Sequence, residues 1–239
     1  MKRLILIRHG QSIWNAENKF TGWVNAPLSE KGKREARSAG ILLKKNTLNN
    51  LYAFTSFLDR AIETLNIIMH TLKFDNVPVV KSWRLNERHY GALTGLNKDE
   101  TKKKIGEELF LKYRRSWNLA PPKINLLEKD KKKFGKLFKN IPENSIPKTE
   151  SLKDTYNRVI PYYEKNIVPL LFNNKDVIIA AHGNSLRALC KKIFSIDEKK
   201  INSLEIPTGN PMLIKIESNL EIKNARYLDS KRAEYIINF

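Results

Sequence analysis

Two short apolar runs in this chain each lead directly into a polar, histidine-bearing turn: Leu4 to Ile7 into Arg8-His9-Gly10-Gln11-Ser12, and Val177 to Ala181 into His182-Gly183-Asn184-Ser185. Runs this short and this apolar suit strands buried inside a parallel sheet. Open α/β sheets bind ligands outside the carboxyl ends of their strands, so the two histidines are expected to meet in one crevice although most of the chain separates them. An arginine beside a histidine at a strand end offers a planar guanidinium for phosphate oxygens and a nitrogen nucleophile next to it. Either His-Gly pair alone is ordinarily a turn with a satisfied imidazole. The two together, in matching strand-to-loop settings, define a site.

The rest of the pattern alternates strands with helices and predicts one α/β domain over 1–239: an open, mostly parallel sheet flanked by helices on both faces, with a helical insert of about 97–150 over the active site. Strands are expected at 2–7, 51–55, 77–81 and 177–181, and two antiparallel ones at 212–217 and 221–227. Ser29 is a plausible cap for a helix to about Lys45, whose small stripe Gly32, Ala36, Ala39, Gly40 and Leu43 suits packing on a sheet. Ser56-Phe57-Leu58-Asp59 has capping-box spacing, and the helix it opens carries Leu58, Ile62, Leu65, Met69 and Leu72 on one side. Arg60 falls in its first turn, at a strand end, within reach of the same crevice, and His70 belongs on its polar face. The insert is expected to hold one helix to about Trp117, then a poorly ordered stretch broken by Pro121, Pro122, Pro142 and Pro147. Helices follow from Ser151, with Pro161 expected to bend or interrupt the first, and from about Ser185 to Phe194.

Length and composition agree with a cytoplasmic enzyme. The 239 residues are enough for one core without disulfides or metals, and the single cysteine, Cys190, fits a buried structural thiol in a reducing compartment. The apolar run after Met1 is too short for a signal peptide, and no segment approaches a membrane span. A formal charge of +19 points to an anionic partner: nucleic acid, an acidic membrane or an anionic metabolite. Its lysine runs, Lys102 to Lys104 and Lys129 to Lys133, read as solvated faces that steer anions. The chain lacks zinc-finger spacing and the aromatic-basic motifs of single-strand readers, so neither nucleic acid nor membrane is the expected partner.

His9 is the candidate nucleophile, since a neutral imidazole attacks phosphorus directly and needs no metal where arginines supply the positive charge. Arg8, Arg60, His182 and the amides of the glycine-bearing turns can surround the phosphoryl oxygens. Glu87 is the best carboxylate for moving the proton; its alternative is an ion pair with Arg84 or Arg88. A mononuclear metal site of His9, His182 and Glu87 competes, against the repulsion of its arginine neighbours.

Taken together, Arg8-His9-Gly10-Gln11-Ser12-Ile13-Trp14-Asn15, Phe20-Thr21-Gly22-Trp23, Thr55-Ser56, Arg60-Ala61, Leu85 to Leu96, Arg114-Arg115, Thr149-Glu150-Ser151-Leu152 and Ile178 to Leu189 resemble the histidine phosphatase superfamily. Over this longer span the chain is similar to its cofactor-dependent phosphoglycerate mutase family. The resemblance implies an α/β fold, a homodimer, and interconversion of 3-phosphoglycerate and 2-phosphoglycerate in glycolysis and gluconeogenesis through a phosphohistidine and a 2,3-bisphosphoglycerate intermediate, which also primes the enzyme. It makes His9 the phosphorylated nucleophile, Glu87 the proton donor and acceptor, and His182 the stabiliser of the pentavalent transition state. Arg8, Asn15, Arg60, Gly183 and Asn184 would hold the phosphoryl group in flight, and Thr21, Gly22, Arg88, Tyr90, Lys98, Arg114 and Arg115 the glycerate carboxylate and second phosphate. Gly10, Gln11, Ser12, Ile13 and Trp14 complete the substrate-binding segment, and His89 joins it with a structural role expected. The stretch from Lys123 to Pro147, Asn210 and the tail ending at Phe239 depart from the family pattern. A phosphomonoesterase, a bisphosphoglycerate mutase and a basic nucleic-acid module stand as alternatives.

Overall fold

The computed structural model describes residues 2–74, 76–125, 139, 141–142, 145–217, 219 and 221–233. Among these residues, β1 (Lys2–Arg8), β2 (Tyr52–Thr55), β3 (Val79–Lys81), β4 (Val177–Ala181), β5 (Met212–Ile216) and β6 (Ile222–Tyr227) form one sheet in the order β3-β2-β4-β1-β5-β6. The first four strands in that order are parallel, and β5 pairs antiparallel with β1 and β6. β1 takes the centre because its side chains are apolar on both faces. Leu4 and Leu6 pack with Val177, Ile179 and Ala181 on one side, while Ile5 and Ile7 join Ala39, Leu43, Leu65 and Ile68 on the other. Each is at most 2% exposed, a burial that stabilises by about 1.5–3 kcal/mol per side chain.

Among the described residues the α-helices are α1 (Ile13–Ala16), α2 (Glu30–Lys44), α3 (Asp59–Leu72), α4 (Lys98–Ile105), α5 (Glu107–Arg115), α6 (Leu152–Asn166), α7 (Val168–Phe172) and α8 (Gly183–Ile193). α2 and α3 cover the Ile5 face, and α6 and α8 the Leu4 face, so helices flank both sides as the sequence predicts. The chain leaves β1 towards α2 on one face and leaves β4 towards α8 on the other. The carboxyl ends of these neighbouring strands therefore form the switch point at which such sheets bind ligands.

Several local expectations need correction. Ser56 caps no helix: Leu58 is the N-cap of α3, and the Ser56 hydroxyl is directed to a histidine instead. The turn after β1 contains α1, capped by Ser12 in a capping box with Asn15. The described residues of the insert hold two helices where one was expected up to Trp117, because Gly106 at φ +82° breaks the run between α4 and α5. Pro161 does not interrupt α6; it and Asn157 four residues earlier are exposed, where water can replace the missing bond. α8 starts at Gly183, two residues before the expected start, with His182 as its N-cap. The stripe on α2 is buried as expected but only partly against the sheet: Gly40 meets Thr71 of α3, and Gly32 meets the Gln11 backbone. Residues 126–138, within the stretch expected to be poorly ordered, and 234–239 of the tail lie outside the described residues.

Candidate active site

The β1–β4 register aligns Arg8 with Ala181, so the next residues, His9 and His182, emerge side by side. The His9 N–H extends the ladder by donating to the Ala181 carbonyl at 2.9 Å, and the two imidazoles stand 4.9 Å apart. His9 Nδ1 lies 2.7 Å from the Gly10 carbonyl oxygen. A carbonyl only accepts, so Nδ1 carries the proton. Nε2 then presents its lone pair to the site, and Arg60 Nε donates to it at 3.2 Å. Burial first, and then the charges of Arg60 and Arg8, hold the His9 pKa well below its usual value and keep the ring neutral. The result is an unprotonated nitrogen beside two guanidinium groups, the state a phosphoryl acceptor requires.

Arg60 occupies the first turn of α3, only 1% exposed, and is aimed by carbonyls of the opposing loop: Nη1 donates to Val24 and Nη2 to Gly22, both at 2.8 Å. Burial lowers its pKa to about 10, which leaves it a cation at neutral pH. Arg8 donates from Nη1 to the Ile206 carbonyl at 2.9 Å, and its Nε is buried with no partner. His182 is fully buried, its Nε2 2.8 Å from the Ser56 hydroxyl, and its pKa too is pushed well below the usual value by burial and then by Arg60.

Glu87 hangs over this pair on a loop that is fastened from behind. Trp23 Nε1 and Arg158 Nη2 donate to its carbonyl at 2.5 and 2.9 Å. Arg158 also reaches the Arg84 and Asn86 carbonyls and forms a buried ion pair with Glu150 at 2.6 Å. The carboxylate itself accepts from the Arg88 and Asn184 amides through Oε1, at 2.8 and 3.0 Å. Oε2 and the Arg8 guanidinium both lie 3.7 Å from the place a Cβ on Gly183 would take, which puts carboxylate and guanidinium together at the start of α8. Arg84 stacks over Trp83 and Arg88 donates to the Tyr113 and Arg114 carbonyls at the end of α5, so both arginines are engaged elsewhere.

Arg8, His9, Asn15, Thr21, Gly22, Arg60, Glu87, Tyr90, Lys98 and Arg114 line one cleft. Lys19 and Phe20, which were not expected as site residues, line it too; Phe20 stood in the Phe20-Thr21-Gly22-Trp23 motif, and nothing marked Lys19. Burial raises the Tyr90 pKa, yet the surrounding cations, Arg88 foremost, carry it below the usual phenol value. Burial likewise lowers the Lys98 pKa. Buried polar atoms without partners stand in the lining of the cleft, among them Arg8 Nε and Thr21 Oγ1, whereas Arg88, expected here, does not line it. Buried donors of this kind call for an acceptor, and an anion supplies one. Among the described residues there is no group of three or more His, Cys, Asp or Glu that could hold a metal ion.

A family model described as the histidine phosphatase superfamily (branch 1) matches residues 4–128 and 121–221. This chain belongs to the histidine phosphatase superfamily. Within it, the chain is 50% identical to the 2,3-bisphosphoglycerate-dependent phosphoglycerate mutase of Pelagibacter ubique over 239 residues, covering 100% of both chains. It is 48% identical to the enzyme of the same name from a Caulobacter species, over 98% of each. Among solved structures it is similar to a mycobacterial glucosyl-3-phosphoglycerate phosphatase, with a TM-score of 0.68 and 22% identity over 95% of this chain and 97% of that one. At that identity the likeness speaks for the fold alone.

The other expected residues of this histidine phosphatase lie around the cleft in supporting positions. The Gly10 amide donates to Thr64 Oγ1 at 3.0 Å, and a Cβ there would meet the Gly32 carbonyl at 2.2 Å, so Gly10 fits a tight backbone crossing. Gln11 is tied to Glu35 and Ser29, Ser12 caps α1, Ile13 is exposed, and Trp14 lies under Lys19. His89 faces away from the cleft, where its Nδ1 accepts from the Gly91 amide and its ring adjoins Trp23. Asn184 donates to the Tyr90 hydroxyl at 3.1 Å. Arg115 is outside the cleft, paired with Glu205. Cys190 is fully buried and its thiol is pushed up to about 12, an inert core group.

Proposed function

We infer that this histidine phosphatase is a 2,3-bisphosphoglycerate-dependent phosphoglycerate mutase, an isomerase of glycolysis and gluconeogenesis that interconverts 3-phosphoglycerate and 2-phosphoglycerate through a phosphohistidine. The full-length match to the Pelagibacter mutase carries this reading. 2,3-Bisphosphoglycerate supplies the phosphoryl group that primes His9, and the unpartnered groups of Arg8 and Thr21 in the cleft suit such an anion. His9 Nε2 accepts the phosphoryl group while Arg8 and Arg60 meet its charge. Glu87 Oε2, free of the amides that hold Oε1, takes the proton of the attacking glycerate hydroxyl and returns one to the leaving oxygen. His182 and the Asn184 end of α8 face the equatorial oxygens. Lys98, Arg114 and Tyr90, which line the same cleft as His9, fit the carboxylate and second phosphate that a mutase must grip.

The reaction is read as metal-independent because two guanidinium groups already supply the positive charge at Nε2, and chelators are expected to leave it intact. A homodimer is part of the proposal; the β3 edge, with Val79 43% and Val80 41% exposed, favours pairing with a second copy. Among the described residues no helix is long and apolar enough to cross a membrane. From the glycolytic role we assign the cytoplasm, with no nucleic-acid or membrane partner.

The test is an enolase-coupled assay joined to mass spectrometry after incubation with 2,3-bisphosphoglycerate. The expected result is turnover of 3-phosphoglycerate and one acid-labile phosphate, both absent from His9→Ala. Rapid hydrolysis of a generic phosphate ester with no 2-phosphoglycerate formed would give the site to a phosphatase instead.

A further inference from the structure

Arg114 and Arg115 end α5 side by side, yet only Arg114 lines the cleft. The Arg115 guanidinium turns to the loop between α8 and β5, where its Nη2 donates to Glu205 Oε1, and its Nη1 is buried with no partner. Glu205 Oε2 stands 3.9 Å from Arg187 Nη2. Arg187 in turn donates from Nη1 to Asn184 Oδ1 at 2.8 Å and from Nε to the Leu204 carbonyl at 2.8 Å. Since the Asn184 amide holds the Glu87 carboxylate, Glu205 is linked through Arg187 to the site without entering it. On its other side Glu205 opens onto a groove of about 410 Å³ lined by Arg8, Lys231 and Arg232. One carboxylate thus stands among five cations on four separate segments.

We propose that Glu205 is a positioning residue that latches Arg115 outside the cleft, and that the second anionic group of the substrate, remote from His9, draws Arg115 in by outcompeting that carboxylate. The proposal rests on the mutase reading for the identity of the ligand. A phosphate carries more charge than a carboxylate and offers three oxygens to the guanidinium fork, so it can win the competition. A ligand with a single anionic group, held at His9, leaves the latch closed. Glu205 thereby favours doubly anionic substrates through an internal competitor rather than through an added contact. The released carboxylate is not stranded: Arg187 is already 3.9 Å away, and Lys231 and Arg232 line the same groove. That removes the large cost of leaving a half-buried charge unpaired.

The experiment is calorimetric titration of the full chain with 2,3-bisphosphoglycerate, which keeps a second phosphate away from His9, alongside KM and kcat for 3-phosphoglycerate from the enolase-coupled assay, for wild type, Glu205→Gln, Glu205→Ala, Arg115→Ala and the Glu205→Gln/Arg115→Ala double variant. A purely structural Glu205 would weaken binding when changed. The latch instead predicts that Glu205→Gln lowers Kd and KM together by about 3-fold or more, the scale of a partly exposed ion pair. In the Arg115→Ala background the same change should move Kd by less than about 1.5-fold, because the competitor has lost its object. Glu205→Ala must act in the same direction as Glu205→Gln. Unchanged or weaker binding in both Glu205 variants overturns the latch. So does undiminished tightening without Arg115, which would assign the effect to the general field of the removed charge. Calorimetry reads the latch without turnover, so a failed coupled assay counts against the mutase reading while the Kd ratios decide the latch.

Discussion

At the scale of single residues the chemistry turns on who holds the Glu87 carboxylate. Sequence spacing left an ion pair with Arg84 or Arg88 open, and the structure engages those arginines with Trp83 and the end of α5. Glu87→Gln keeps the shape of the site while removing its titratable proton, so turnover should fall by roughly 10²-fold or more. Bisphosphoglycerate should still bind at near wild-type affinity by calorimetry, and a large loss of binding with little loss of turnover would argue for a merely structural carboxylate. The histidines make a second prediction. His9 and His182 are held well below the usual value by burial, and burial lowers His89 to about 4. Below about pH 6.5 the unfolded chain takes up protons on these rings that the folded chain refuses, so stability falls as pH drops from there towards 4. For His89 the slope is about 1.4 kcal/mol per pH unit over that window. Urea midpoints measured from pH 7 to pH 5 should fall for wild type and less steeply for His89→Gln, whose amide can still accept from the Gly91 amide. Equal slopes would refute the assignment.

At the scale of elements the site is a matter of strand ends and what presses on them. Apolar runs and small-residue stripes marked β1, β4 and α2 because burial on both faces, or on one helical face, leaves a period in the sequence. Ser56 misled: its spacing suits a cap, but whether a serine caps its own helix or reaches a histidine on the next strand is decided by the neighbouring strand, not by local sequence. The insert misled similarly at Gly106, where a positive φ ends one helix and starts another. α2 also reaches the His9 loop mechanically. A Cβ on Gly32 would lie 2.1 Å from the Gln11 carbonyl oxygen and 2.8 Å from its amide nitrogen, so helix and loop must separate. Gly32→Ala should therefore lower Tm by several degrees and reduce turnover as well, since the same loop carries the Gly10 carbonyl that sets the His9 tautomer. A Tm change with unaltered kcat would detach α2 from the site.

For the molecule as a whole, a phosphohistidine has to be kept from water, and only solvent exclusion separates a mutase from a phosphatase. The described part of the tail is fastened near the site: Asn210 and Asp229 exchange two hydrogen bonds, and Arg232 donates to the Thr208 carbonyl at 2.5 Å. Asn210, a departure from the family pattern, thus anchors the start of the tail. Deleting Ser230 to Phe239 should lower mutase activity and raise the ratio of bisphosphoglycerate hydrolysis to mutase turnover; a folded truncation with an unchanged ratio would move closure to the insert. What the sequence determined by itself was the α/β class, the pairing of two strand-end histidines and most of the cleft. Each of these is written locally, as a buried strand followed by a polar turn. What only the tertiary structure decided was the tautomer of His9, the partner of Ser56, the bracing of Glu87 by Arg158 and Glu150, and the pairing of Arg115 with Glu205 outside the cleft. Those depend on groups far apart in the chain whose meeting is set by strand register and helix packing, and no local pattern encodes a partner that is chosen by the fold.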